Sequence, residues 1–212
     1  MELKSTAKIN IGLHVYNKRQ DGFHNIATIF QEINFFDTIN IREAKNFSCK
    51  TSTGQIKQED NFSTKAFNLI KEAFPHIPNV DIDIKKNIPT NAGLGGGSSN
   101  GTSVLRGLNT FFDLSLNNDE LSEFASKVSS DSTFFVNGGL QLGTKKGEEL
   151  IPILETEIPK HILLVYPNIK ISTKDAFKQL KNHLLNENMD INLSHLLKEL
   201  KNNNFDSKLF KN

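Results

Sequence analysis

The chain has 212 residues, a net charge of +1 from 25 basic and 24 acidic residues, and a single cysteine, Cys49. This length can bury a sizeable core, as one large domain or two modest ones. The balanced charge, without a basic stripe and interleaved aromatics, argues against partners such as nucleic acid or anionic lipid. No apolar run reaches the length of a membrane span, and the first residues do not form an apolar signal region. We therefore expect a soluble, cytoplasmic protein without an internal disulfide.

The first half of the chain predicts mainly strands, followed by a helix and a further strand. Alternation of apolar and polar residues indicates half-buried strands, and Asp-Gly is typical of a tight turn. The predicted elements are, in order, a strand over 7–16, a turn at Asp21-Gly22, strand-like runs over 27–35 and 37–42, a helix from Asp60-Asn61 to Phe74 that Pro75 and Pro78 end, and a strand over 80–86.

The second half predicts two helices, a hairpin and then a separate block. The elements are helices over 98–112 and 118–127, a hairpin through Leu140 and Leu150, and, from about Pro159, an apolar strand over 161–166 with helices over 173–185 and 193–200. This last block contains a single predicted strand, so it offers no second strand with which the first could pair. We expect it to pair with another sheet edge or to be incomplete.

The segment 89–99, Pro-Thr-Asn-Ala-Gly-Leu-Gly-Gly-Gly-Ser-Ser, lies between a predicted strand and a predicted helix. Glycines let backbone N–H groups approach an anion, and a helix N-terminus adds unpaired donors and a partial positive charge. The segment therefore predicts a phosphate-binding loop, with an ordinary flexible turn as the alternative. No lysine precedes Ser98 as a P-loop requires, and neither the dinucleotide pattern nor the protein-kinase glycine pattern is present.

Four stretches in the same order resemble the GHMP small-molecule kinases, over about residues 6–177. They are Lys8-Ile-Asn10, Asp21-Gly-Phe-His24, the glycine-rich segment, and Asp131-Ser-Thr-Phe-Phe135. The Asp-Gly-Phe-His stretch makes the sequence most similar to the branch of the family that acts on a diphosphocytidyl methylerythritol substrate. The resemblance implies an α+β GHMP-kinase fold with an N-terminal ribosomal-protein-S5-domain-2-like ATP-binding domain over 1–152 and a partial ferredoxin-like C-terminal domain over 153–212.

The resemblance also implies ATP-dependent phosphorylation of the substrate's 2-hydroxyl, a step in isoprenoid precursor biosynthesis. Phosphoryl transfer needs donors around the phosphates, a metal ion, and a group that takes the hydroxyl proton. The family places Asp131 as the base and Lys8 beside it, where the lysine keeps the aspartate ionised and stabilises developing charge. The alternatives are a solvent-facing strand residue for Lys8 and a helix cap or loop residue for Asp131.

The remaining roles implied by the resemblance concern the nucleotide and the substrate. Asn61 would contact adenine, or cap a helix; Lys86 would lie at the nucleotide, or at an exposed strand end; Ser98 and Ser99 would bind phosphate, help order Mg²⁺, or cap a helix. The predicted ATP-binding set is Asn61, Lys86, Pro89, Ala92, Gly93, Leu94, Gly95, Gly96, Gly97, Ser98 and Ser99. The predicted substrate-binding set is Phe23 and His24 at cytosine, Phe177 as the opposing stacking partner, and Asn10 and Thr173 as polar neighbours.

The sequence departs from the family pattern in three places. Residues 129–133 read Ser-Ser-Asp-Ser-Thr where the family usually has Gly-Ala-Asp-Val-Pro, Phe23 replaces a common tyrosine, and a third motif of the Gly-Ser/Thr-Gly type is missing. The missing motif predicts a fragment or a reduced C-terminal domain. Three readings follow: the kinase just described, as a monomer or homodimer; another GHMP kinase of the mevalonate or homoserine type; or a nucleotide-binding remnant without turnover.

Overall fold

The computed structural model describes residues 1–54, 56–154 and 161–167. The chain divides into two compact units. The first contains Met1–Ile9 and Glu32–Gly138, and the second contains Asn10–Gln31 and the described residues from Gly139 onward. The predicted boundary between residues 152 and 153 is not tested by this division and stays a prediction.

Two long strands run through both units. Strand β1 (Glu2–Lys18) pairs with β2 (His24–Ala44). The predicted turn lies between them, where Gly22 adopts a φ of 86°. The two strand-like runs predicted over 27–35 and 37–42 are parts of one continuous strand, because no turn residue separates them.

The first unit places helices against one face of a sheet. Its further elements are β3 (Ser48–Thr51), a 3₁₀ turn (Gln58–Asp60), α1 (Phe62–Ala73), β4 (Asn79–Lys85), α2 (Gly96–Phe111), α3 (Asn118–Val128) and the short α4 (Phe134–Asn137). Strand β4 is antiparallel to residues 38–44 of β2 and parallel to β3. Alternate residues of β2 and β4, such as Ile39, Ile41 and Ile82, are fully buried with Leu105 and Leu108 of α2. This period of two follows from the pleat of the strands.

The second unit contains a hairpin on the first part of β2. Strand β5 (Leu140–Thr144) is antiparallel both to residues 28–31 of β2 and to β6 (Glu149–Pro152). Ile29 and Leu142 lie at the centre of its small apolar cluster. The turn between β5 and β6 contains Lys145 and Gly147, both with positive φ. The predicted hairpin is therefore confirmed.

The predicted strand over 161–166 is wrong. Residues 161–167 form no strand, and Leu163 and Val165 are 89% and 76% exposed. An apolar run becomes a strand only where a neighbouring backbone completes its hydrogen bonds, and no strand in the described part of the chain does so here. In the part of the chain that the structure describes, no helix is both long enough and apolar enough to cross a bilayer.

Candidate active site

The glycine-rich loop connects β4 to α2 in the first unit. The first hydrogen bond of α2 joins Ser99 N–H to the Gly95 carbonyl at 2.9 Å. The N–H groups of Gly96, Gly97 and Ser98 come before this first bond and so have no acceptor within the helix. They are donors of the kind that bind anions at helix N-termini. Gly93 and Gly97 are exposed, which leaves this end of the helix accessible to a ligand.

At Gly95 both the backbone conformation and the surrounding space require glycine. It ends the loop with a φ of 69°, a conformation that favours glycine. A Cβ atom added there would lie 2.8 Å from Phe135 Cζ and 3.0 Å from Lys8 Cγ. The loop backbone is also held by β1, because Lys8 N–H donates to the Leu94 carbonyl at 3.0 Å. Lys8 is thereby fixed against the loop through both its backbone and its side chain.

Lys8 and Asp131 form an ion pair beside this loop. Lys8 Nζ lies 3.5 Å from Asp131 Oδ2, with the lysine side chain 8% exposed and the aspartate side chain 35% exposed. A carboxylate that is partly accessible and faces a buried ammonium group can accept a proton from a bound hydroxyl. The structure therefore brings together the two residues predicted to be catalytic.

Both serines at the start of α2 accept hydrogen bonds from other hydroxyl groups. Ser5 Oγ donates to Ser99 Oγ at 2.8 Å, and Ser129 Oγ donates to Ser98 Oγ at 2.8 Å. Ser99 is almost fully buried, whereas Ser98 is 8% exposed. Ser98 is therefore the better placed of the two to reach a ligand.

Lys86 is not at an exposed strand end. Its ammonium group forms a buried ion pair with Asp37 and donates to Asn100 Oδ1 at 3.0 Å. Asp37 Oδ1 also accepts the N–H groups of Asn87 and Ile88, at 2.7 and 2.8 Å. Asp37 thus fixes the backbone that leads into the glycine-rich loop. Lys86 Nζ would be 3.4 Å from a Cβ on Gly96, so the lysine lies next to the start of α2.

Asn61 has the capping position that its sequence context allows. Its Oδ1 accepts the Ser63 N–H at 2.9 Å and so caps α1. The cap uses only the amide oxygen, and the amide nitrogen is the group that would bind an adenine acceptor. The following residue, Phe62, lies over the first turn of α2, 3.4 Å from a Cβ placed on Gly97.

The residues predicted to bind cytosine, Phe23 and His24, lie in the second unit. Phe23 is 56% exposed, and Lys146 Nζ is 5.3 Å from the centre of its ring. Burial opposes ionisation of Asp21, but the Phe23 N–H and the Arg19 guanidinium outweigh it and lower the pKa of this carboxyl. His24 begins β2, and Asn10 Nδ2 donates to Thr28 Oγ1 at 2.9 Å. An exposed phenylalanine ring on an ordered turn is a surface on which a base can stack.

Two predicted residues, Thr173 and Phe177, lie outside the described residues. Asp37, Ser129 and Ser132 were missed as site residues by sequence reasoning. The signal for Asp37 is that it is the one charged residue in the strand run Ile-Asn-Phe-Phe-Asp-Thr-Ile. The signal for the two serines is the departure from Gly-Ala-Asp-Val-Pro. In the part of the chain that the structure describes, no group of three or more His, Cys, Asp or Glu side chains could hold a metal ion.

Comparison with known proteins defines the class. Residues 61–140 match the family model described as GHMP kinases N terminal domain. A crystal structure of 4-(cytidine 5'-diphospho)-2C-methyl-D-erythritol kinase superposes with a TM-score of 0.75 at 25% identity, covering 96% of this chain and 72% of that one. Mevalonate pyrophosphate decarboxylase from Streptococcus pyogenes shares the fold, with a TM-score of 0.68 at 22% identity. The fold and the loop are those of the GHMP kinases, a class of ATP-dependent phosphotransferases.

The curated relatives narrow the class. The 4-diphosphocytidyl-2-C-methyl-D-erythritol kinase of Sulfurihydrogenibium sp. (strain YO3AOP1) is 40% identical over 191 residues, which cover 90% of this chain and 69% of the relative. The enzyme of the same name from Persephonella marina (strain DSM 14350 / EX-H1) is 38% identical, with coverage of 90% and 70%. The chain therefore belongs to the 4-diphosphocytidyl-2-C-methyl-D-erythritol kinase family. It spans about 70% of the length of these two relatives.

Proposed function

We propose that the chain transfers the γ-phosphoryl group of ATP to the 2-hydroxyl of 4-diphosphocytidyl-2-C-methyl-D-erythritol, a step of isoprenoid precursor biosynthesis. The observation that carries this proposal is the Lys8–Asp131 ion pair, held against the glycine-rich loop through Gly95. A base and a phosphate-binding loop in one compact unit are the two protein components that phosphoryl transfer to a hydroxyl requires.

In the proposed mechanism, Asp131 accepts the proton of the attacking hydroxyl. Lys8 stabilises the negative charge that develops on that oxygen. The N–H groups at the start of α2 hold the phosphates of ATP in line with the acceptor. Since the loop is fixed to β1 at Lys8, the same contact sets the distance between phosphates and base.

We propose Mg²⁺ as the metal ion that accompanies ATP. Mg²⁺ is usually bound by one or two carboxylates together with substrate phosphates, so it does not need a cluster of protein ligands. The Ser98 hydroxyl, at the start of α2, is an oxygen ligand that the first unit offers at the loop. The bound ion would neutralise charge on the phosphates.

We further propose that Phe23 stacks on cytosine and that His24 and Asn10 make polar contacts to the substrate. The exposure of the Phe23 ring supports this role. Thr173 and Phe177 complete the proposed set. The family match over residues 61–140 supports a division into an N-terminal ATP-binding domain over 1–152 and a part of the C-terminal domain over 153–212.

The test is to incubate the purified chain with Mg-ATP and the diphosphocytidyl substrate and to measure ADP release. We expect Asp131→Asn to lower kcat by about 10²- to 10⁴-fold, the usual contribution of a general base. Lys8→Met, which keeps the length of the side chain, should also lower kcat. The matched controls are Lys145→Met and Glu149→Gln, which remove an exposed ion pair, and these should retain wild-type turnover.

Three results would contradict the proposal. Turnover that survives the double variant Lys8→Met/Asp131→Asn would exclude the assigned catalytic pair. ATP binding without turnover would indicate a nucleotide-binding remnant. Turnover with mevalonate or homoserine, but not with the diphosphocytidyl substrate, would indicate another GHMP kinase.

A further inference from the structure

The turn that carries Asp131 is tied to the glycine-rich loop by three serine hydroxyls. Ser129 Oγ donates to Ser98 Oγ at 2.8 Å, and Ser129 Oγ and Ser132 Oγ are 2.6 Å apart. Ser129 directly follows α3, and Ser132 directly follows Asp131. The proposed base therefore lies between two residues that connect to the first turn of α2.

The direction of these hydrogen bonds follows from counting protons. A serine hydroxyl has one proton and two acceptor lone pairs. Ser132 Oγ has two acceptors within reach, Ser129 Oγ at 2.6 Å and the Ser98 carbonyl at 3.4 Å. Because Ser129 donates its own proton to Ser98, Ser132 is the donor in the short contact with Ser129. Ser132 therefore donates to Ser129, and Ser129 donates to Ser98. Ser98 is the last hydroxyl in this chain of donors, so its own proton points to neither of the other two serines. Because Ser132 is fully buried, water does not compete for the first of these bonds.

A second set of contacts holds the same turn against α2. Thr102 Oγ1 donates to the Ser132 carbonyl at 2.8 Å in a buried position. Ser132 N–H donates to the Ser129 carbonyl at 3.2 Å, which closes the turn around Asp131. The turn is thus attached to Ser98 of α2 through side-chain hydroxyls, and to the Thr102 side chain of α2 through the Ser132 carbonyl.

We propose that Ser129 and Ser132 are positioning residues that fix Asp131 relative to the phosphates of ATP and direct the Ser98 proton to a phosphate oxygen. The inference rests on the proposed function and deepens it. A hydroxyl that accepts a hydrogen bond donates its own more strongly, so the chain of donors strengthens Ser98 as a phosphate ligand. The glycine and valine that the GHMP pattern places at positions 129 and 132 have no hydroxyl.

The test compares Ser129→Ala with Ser130→Ala, in the full chain. Ser130 lies in the same turn but is exposed, so its variant is the matched control and should behave as wild type. For Ser129→Ala we expect the dissociation constant for ATP to rise and kcat to fall, each by about 3- to 10-fold, as for the loss of one hydrogen bond and of fixed geometry. Ser129→Thr, which keeps the hydroxyl, should recover most of both losses.

A double-mutant cycle separates positioning through Ser98 from a general loss of stability. In a Ser98→Ala background the acceptor is gone, so Ser129→Ala should change ATP affinity by less than about 2-fold. An unchanged effect of Ser129→Ala in that background would overturn the proposal, and so would equal behaviour of Ser129→Ala and Ser130→Ala. If Ser129→Ala fails to fold, Ser132→Ala removes the first donor of the chain and gives the same comparison.

Failure of the proposed function would give a different result. A wild-type chain that binds ATP but does not phosphorylate the diphosphocytidyl substrate would contradict the proposed function alone. The ATP dissociation constants of the same variants would still decide whether Ser129 acts through Ser98, since that measurement needs no second substrate.

Discussion

A buried and an exposed ion pair link β2 to β4 or to the residue that follows β4, and Arg42 of the exposed pair also lies 3.7 Å from the Asp81 carboxylate of β4. Asp37 and Lys86 are 0% and 5% exposed, whereas Arg42 and Asp83 are 63% and 45% exposed and 2.7 Å apart. A buried charge that loses its partner is strongly destabilising, while an exposed pair contributes little. Asp37 also accepts the N–H groups of Asn87 and Ile88, so the two pairs differ in hydrogen bonding as well as in burial.

We expect Asp37→Asn to lower the free energy of unfolding by about 3–5 kcal/mol, because it leaves the Lys86 ammonium buried without a counter-charge. Asp83→Asn should lower it by less than about 1 kcal/mol. Urea unfolding followed by circular dichroism measures both, since the chain has no tryptophan. Equal effects of the two substitutions would show that the Asp37 carboxylate is not needed to balance Lys86.

Gly95 and Gly139 share a positive φ, of 69° and 73°, but differ in the space around them. A Cβ on Gly95 would overlap Phe135, and a Cβ on Gly139 would meet no atom within 4 Å. We expect Gly139→Ala to lower stability by about 1–2 kcal/mol, the penalty of the left-handed conformation alone. Gly95→Ala should lower it further and raise the dissociation constant for ATP. Thermal melting and nucleotide titration provide the two measurements, and wild-type ATP affinity in Gly95→Ala would contradict the role of this close approach.

The sequence predicted the glycine-rich loop, Lys8 and Asp131 as candidate site residues, because these stretches resemble the family in residue type and in order. It did not predict the partner of Lys86, since Asp37 is distant along the chain and only strand pairing brings the two together. The hydrogen bonds of Ser129 and Ser132 were not predicted either, because serine is also a common residue in ordinary turns.

Among the elements, α3 determines where the turn with Asp131 begins. Asn117 Oδ1 accepts the N–H groups of Asp119 and Glu120, and Glu120 Oε2 accepts the Asn117 N–H at 2.8 Å, which forms a complete capping box. The other end of the helix is Val128, directly before Ser129. The cap therefore stabilises the helix that leads into the proposed base.

We expect Asn117→Ala to lower the free energy of unfolding by about 1 kcal/mol, because two N–H groups lose their acceptor. The control is Ser126→Ala, an exposed position within the same helix, where alanine has the higher helix propensity and stability should be unchanged or slightly raised. Denaturant midpoints of the two variants compare them directly. A smaller loss for Asn117→Ala than for Ser126→Ala would contradict the importance of the cap.

Most elements were predictable from the sequence: β1 and β4 from their alternation, α1 and α3 from cap and stop residues, and the hairpin of β5 and β6 from its glycines. Strand β3 was missed because Ser48–Thr51 is too short to show a period. Helix α2 begins two residues before the prediction, since the left-handed Gly95 lets Gly96 enter the helix directly. The apolar run over 161–166 was read as a strand on composition alone, but strand formation depends on a partner that composition does not supply.

For the molecule as a whole, the pH dependence of stability contains a contribution from Cys49. Burial raises the pKa of this thiol from 9.0 to about 11. The Cys49 thiol therefore keeps its proton in the folded state at pH values where it has lost that proton in the unfolded state. The resulting stabilisation is complete below pH 9, and it is lost as the pH rises through about 11.

We expect the free energy of unfolding to fall by about 2–3 kcal/mol between pH 9 and pH 11 through this group, from a shift of about two pKa units. Lysine and tyrosine also titrate in this range, so the measurement is the difference between wild type and Cys49→Ala at each pH. The two curves should converge with rising pH. Parallel curves would show that the thiol titrates alike in both states.

Strand β2 has a consequence for the synthesis of the chain. Residues 28–31 pair with β5, which leaves the ribosome only after α1, β4, α2 and α3 have been made. At about 5–20 residues per second, this interval is on the order of ten seconds. Strand β1 pairs with β2 early, but the edge that residues 28–31 offer to β5 presents open backbone N–H and C=O groups until β5 arrives. An open strand edge can pair with another chain, so the nascent protein carries this aggregation risk until β5 has left the ribosome.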